Sequence, residues 1–109
     1  MSDLIGKSVL VEITCFGETG AQIDAFQVYG RIETVDERWI GIKRADWSEP
    51  FGLPPAPELF EPAPAGAYTL RTTGEQIEDL DLLVSMDVNV RDAESLLTLR
   101  GVGLVLAPA

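Results

Sequence analysis

The sequence predicts an all-β, mostly antiparallel fold: one small barrel spanning 1–109, with a proline-rich loop excursion at 50–67 and one short helix. Three observations carry this reading. Residues Ser8–Phe16 and Leu80–Val90 alternate apolar and polar with the period of two that marks a strand with one buried face. Gly30 interrupts another alternating run, where a glycine signals a sharp bend or the close approach of another backbone. Six of the seven prolines, Pro50, Pro54, Pro55, Pro57, Pro62 and Pro64, crowd into one segment.

The elements follow in chain order. In Ser8–Phe16, Val9, Val11, Ile13 and Cys15 share one face, with Glu12 and Thr14 on the other; Gly17-Glu18-Thr19-Gly20 then reads as a turn. A second strand covers Ala25–Thr34, with Phe26, Val28, Gly30 and Ile32 on one face. Barrels need such a glycine where a strand passes from one side to the other. The turn Asp36-Glu37-Arg38 leads into a third strand, Trp39–Arg44, with Ile40 and Ile42 on one side. Proline lacks the amide donor of a sheet ladder, so 50–67 is an excursion and not a central strand. It carries Phe51, Leu53, Leu59 and Phe60, so it either lies against the barrel or a neighbouring subunit, or forms a long flexible loop.

After Gly66, Tyr68–Thr73 reads as a strand and Gly74-Glu75 as a turn. Leu80, Leu82, Val84, Met86, Val88 and Val90 then occupy every second position. Such a strand would span roughly 36 Å, which implies a bend or a bridge between two parts of the sheet. Asp92 caps a short helix, Ala93–Arg100, with Glu94 in its first turn, Arg100 in its last, Gly101 just beyond, and Leu96 and Leu97 facing inward. The competing reading makes Leu97-Thr98-Leu99 a strand. In both, Val102, Leu104 and Leu106 form a final strand.

Composition narrows the function. The chain has 109 residues, enough for one modest core without metal or disulfide staples, and 46% of them are hydrophobic. Eight Lys and Arg face 18 Asp and Glu, a formal net charge of −10. Such a surface repels phosphate backbones and anionic lipids, so DNA is not an expected partner and RNA is disfavoured. One cysteine excludes an intrachain disulfide, and no leader-like or membrane-length apolar run is present. The expectation is a cytoplasmic protein with no membrane partner.

The run Gly30-Arg31-Ile32-Glu33-Thr34-Val35-Asp36-Glu37-Arg38-Trp39-Ile40-Gly41-Ile42-Lys43, with Leu4–Val11 upstream, resembles the Sm-like family, its bacterial branch most closely. Gly30, Ile32 and Asp36 have the spacing of that family's first motif. The resemblance covers about a quarter of the chain and implies a bent five-stranded barrel of the SH3/Sm-like kind that assembles into a ring. It also implies RNA contact through the motif's turn and a second motif. By position Asp36 matches the turn aspartate, Arg38 stands where the bacterial branch has a stacking aromatic, and Trp39 is adjacent. Leu99-Arg100-Gly101-Val102 has the look of an Arg-Gly second motif, displaced downstream. The bacterial lysine-histidine pair has no counterpart, since the chain has no histidine. The family's N-terminal helix is missing ahead of Leu4, and the first hairpin is longer, through 18–24. The candidate binding residues are thus Asp36, Arg38, Trp39 and Arg100.

Without histidine, Ser-His and Cys-His nucleophilic arrangements are excluded, and no Cys or His cluster offers a zinc site. Cys15, on an apolar strand face, reads as a buried inert thiol. Glu75, Glu78, Asp79 and Asp81 form an acidic cluster without a calcium-loop spacing, and read as a solvated turn. Trp39 and Trp47 read either as an aromatic platform or as caps on the core. No catalytic residue, metal ligand or cofactor is expected. The leading functional expectation is a non-catalytic assembly or interaction module forming a homo-oligomer, with the long strand offering an edge to a neighbour. The alternatives are an RNA-binding ring protein and a small-ligand binder or carboxylate-dependent enzyme.

Overall fold

The computed structural model describes residues 2–44, 48–71 and 73–105. Among the described residues, eight strands and one α-helix follow one another, with short 3-10 helices at Ser2–Leu4 and Pro57–Leu59: β1 (Ser8–Phe16), β2 (Gln22–Val35), β3 (Ile40–Arg44), β4 (Phe51–Leu53), β5 (Glu61–Pro62), β6 (Tyr68–Thr69), β7 (Gln76–Ile77), β8 (Leu82–Asn89) and α1 (Ala93–Val102). Six strands form one curled sheet, a half-barrel, in the order β4-β3-β2-β1-β8-β5; β6 and β7 form a separate two-stranded sheet. Four of the five pairings in the large sheet are antiparallel, and β1 with β8 is parallel.

The alternation in β1 does what period two requires. Val9, Val11, Ile13 and Cys15 are buried in the main core on the concave face, in one cluster with Val84, Ile42 and Phe51. Leu10 points the other way, into a smaller cluster with Ile77 and Leu80. The sheet is therefore covered on both faces near its middle: inside by its own curl, outside by the β6–β7 hairpin. Gly30 accounts for the curl. It pairs with Val9 of β1 and with Arg44 of β3, and a Cβ there would lie 2.1 Å from the Lys43 carbonyl oxygen. Only a residue without Cβ lets β3 fold this closely over β2.

The long alternation divides at its start. β8 begins at Leu82, and Leu80 belongs to the outer cluster. Asp79 adopts φ 59°, and Asp81 ties the chain to β1: its carboxylate accepts the Ser8 backbone N–H at 2.9 Å. The Ser8 hydroxyl oxygen in turn accepts the Asp81 N–H at 3.0 Å. The strand expected over Tyr68–Thr73 is shorter, Tyr68–Thr69, and pairs with β7; Thr72 lies outside the described residues.

The proline-rich segment is not a single loop. Its start is β4 and its middle is β5, which occupy the two edges of the large sheet. Pro62 sits on an edge, where its missing donor costs no ladder bond. Residues 54–60 join the edges, a path of at most about 29 Å for an extended chain. The segment thus straps the mouth of the half-barrel. Phe51, Leu53 and Phe60 are buried in the main core and Leu59 packs against it. Of the readings open from the sequence, packing on its own barrel is the one observed.

The helix forms where Asp92 caps it, accepting the Ser95 N–H at 2.8 Å. It runs two residues past the expected end, to Val102, with Gly103 as its C-cap. Leu96 and Leu99, three apart on one face, pack into the core, but Leu97 is 71% exposed. The inward placement of Leu97 is corrected, because one helical step from Leu96 turns it by about 100°. The final strand is also replaced: Val102 is helical, Gly103 makes one bridge to Gly52, and Leu106 lies outside the described residues.

Candidate functional site

The residues singled out by the sequence do not converge. Asp36 builds the β2–β3 turn, accepting the backbone N–H groups of Arg38 at 2.7 Å and Trp39 at 3.2 Å. The Arg38 backbone donor, foremost, holds the Asp36 carboxyl below its usual range. The Arg38 guanidinium lies 3.5 Å from the same carboxylate and is largely exposed. Trp39 is 6% exposed: its indole packs over the backbone of Gly41 and Gly52, on the face opposite Ile40 and Ile42. It offers no open stacking surface. Trp47 lies outside the described residues. Arg100 is at the other end of β2, ion-paired with Asp24 and stacked over Phe26 at 4.9 Å. Its neighbour Arg44 is buried, donates to the Arg100 and Gly101 carbonyls at 2.8 and 3.2 Å, and lies over Phe51. Both arginines bind α1 to the sheet. Cations suit the negative end of a helix.

Cys15 is buried, and desolvation, followed by the nearby Asp24 charge, pushes its thiol up. Among the described residues, no group of three or more Cys, Asp or Glu is placed to hold a metal ion. No helix among them is long and apolar enough to cross a membrane.

The feature with binding chemistry is the outer edge of β8. Along a strand, the N–H and C=O of one residue point to one side, and those of the next to the other. The Val90 N–H donates to the Phe16 carbonyl of β1, so even-numbered residues of β8 point toward β1. The Ala63 N–H donates to the Asp81 carbonyl, and Glu61 pairs with Leu83, so odd-numbered residues point outward. β5 and Ala63 after it take up the outward groups of Leu83 and Asp81. Beyond them, Ser85, Asp87 and Asn89 present backbone donors and acceptors outward with no ladder partner among the described residues.

The side chains along this edge are two-faced. Ser85, Asp87 and Asn89 are exposed on the convex face, beside Glu12 and Thr14 of β1. Val84 is buried, while Met86 and Val88 are half-buried against the main core. Past Asn89 the edge meets a groove of about 560 Å³, bounded by Val88–Val90 and by the α1 face carrying Glu94, Ser95, Thr98 and Leu99. Arg91 and Asp92 line its floor, and Trp39 takes no part in it. The Ser95 backbone N–H foremost holds the Asp92 carboxyl below its usual range, so a negative charge is fixed there at neutral pH.

No family model, curated protein or solved structure matches the chain. The long alternating strand had pointed to an edge. That the edge is free only beyond Leu83, and through Ser85, Asp87 and Asn89, depends on where β5 lands, which no local pattern encodes.

Proposed function

We propose that this protein is a non-catalytic interaction module that accepts an extended strand on the outer edge of β8. The supporting observation is the run of outward backbone groups at Ser85, Asp87 and Asn89, which have no ladder partner among the described residues between β5 and α1. Strand addition uses such groups for affinity and the alternating side chains for specificity. A second copy supplying the strand gives a homo-oligomer; another protein supplying it gives a hetero-complex. Light scattering coupled to size exclusion, with Ser85→Pro as the edge-blocking variant, tests the proposal. Assembly or strand binding that Ser85→Pro abolishes supports it. A strict monomer over a wide concentration range that captures no strand overturns it.

An RNA-binding ring of the Sm-like kind is the second reading. Its support is the bend at Gly30, the tight Asp36 turn, and the exposed Arg38 guanidinium. It calls for single-stranded RNA binding that weakens with salt and in Arg38→Ala. Absence of binding at low salt, where counterion release favours it most, removes the reading.

A further inference from the structure

We infer that the strand taken up by β8 is a short, basic, extended segment of another protein, alternating apolar and Lys or Arg residues. The inference rests on the strand-addition reading above and names the occupant of that edge. Length is set first. β5 holds the edge through Leu83, and α1 begins at Ala93. Residues 85–89 leave room for about five strand residues, roughly 17 Å.

The pleat then sets the pattern. Residues directly opposite Ser85, Asp87 and Asn89 share the convex face with them, and those opposite Met86 and Val88 turn toward the half-buried apolar face. The incoming segment therefore alternates.

Charge sets the sign. Asp87 stands at the centre of the free edge and sets the sign there, since Glu12, on the same face one strand away, is ion-paired with Arg71 at 3.7 Å. The groove past Asn89 adds Asp92 and Glu94 against a single Arg91. Opposite charges across a strand pair stabilise it and like charges destabilise it.

A second copy fits poorly on two counts. Antiparallel pairing centred on Asp87 would set one Asp87 against the other, between chains that each carry −10. It would also drive each chain's path beyond Asn89 into the other's β5, which already holds the edge at Leu82–Leu83. A phosphate backbone meets the same negative field.

The experiment uses two capped, fluorescein-labelled nonapeptides, one alternating valine and lysine, the other valine and glutamate. Binding to the full chain is followed by fluorescence anisotropy at near-physiological salt. The lysine peptide is expected to bind about tenfold or more tighter than the glutamate peptide. Asp87→Lys should reverse the order, whereas Glu33→Lys, which changes net charge equally on β2, should not. Ser85→Pro should abolish binding, as should N-methylation of alternate peptide amides, a test independent of how the variant folds. Equal binding of the two peptides, both lost in Ser85→Pro, overturns the basic-partner inference and leaves the open edge standing. Binding indifferent to both Ser85→Pro and N-methylation overturns the open edge itself, and absence of binding overturns both. Self-assembly of the chain that Ser85→Pro abolishes would place a second copy on the edge and overturn the inference.

Discussion

The two edges of the large sheet are finished in different ways. At the β4 edge the chain closes on itself. The tail after α1 lies against Gly52, with the Leu104 N–H donating to the Gly52 carbonyl at 2.8 Å. A Cβ on Gly52 would stand 1.9 Å from the Val105 carbonyl oxygen, so a glycine is what admits the tail. Trp39, just ahead of β3, then covers the same place. At the β8 edge, β5 covers only two residues and the remainder carries exposed polar side chains. Charged residues on a bare edge discourage indiscriminate strand pairing while leaving its backbone groups able to bond a matched strand. One edge is closed within the chain, and the other is the edge proposed above to take a partner strand.

Breaking the closed edge should have the largest effect. Phe51→Ala removes a fully buried ring that meets Phe26 edge-on, with centroids 6.4 Å apart. A loss of about 3–5 kcal/mol in denaturant unfolding is expected. Gly52→Ala should cost about 1–3 kcal/mol by forcing the tail away, with faster amide exchange at Leu104 and Val105. That variant would turn the closed edge into a second open one.

Acid should loosen both sides. Asp36 at the β2–β3 turn, Asp81 at the start of β8 and Asp92 at α1 all have carboxyls held low, chiefly by backbone N–H donors. Because each folded-state pKa lies below its unfolded value, the unfolded chain binds more protons in that window. The stabilisation is present above the unfolded value near pH 4 and is lost as pH falls through the folded one. Melting temperature should therefore drop on acidification below about pH 4, and Asp81→Asn should flatten that slope while lowering stability at neutral pH. The smallest effect belongs to the open edge and the outer helix face. Ser85→Pro and Leu97→Gln should each stay within about 0.5 kcal/mol of the parent, because neither removes a ladder bond or a core contact. A large loss in Ser85→Pro would show that its N–H is used within the chain.

Much of the fold was legible. The face of Val9, Val11, Ile13 and Cys15, the bend at Gly30 and the Asp92 cap each depend on residues close in sequence, and each stands where expected. The candidate site was less so. Arg100 looked like a ligand contact and instead pairs with Asp24, 76 residues away. Trp39 read either as a platform or as a cap on the core, and the choice was made by its own sheet and the approach of β4, which bury it. Leu97 and Leu96 are equally apolar, and only the direction from which the sheet meets α1 distinguishes them.

By itself, the sequence determined the strand faces, the bend, the cap and the acidic surface. These follow from side-chain period, from the absence of a Cβ and from charge, all properties of a few neighbouring residues. Tertiary structure alone decided that β1 and β8 lie parallel, that 50–67 supplies both edges of one sheet, and that the outward groups of Ser85, Asp87 and Asn89 meet no ladder partner among the described residues. Those outcomes depend on which distant strand arrives beside which. A hydrogen-bond donor or acceptor is the same on every residue of a strand, so its local pattern does not say which ones will be left without a neighbour.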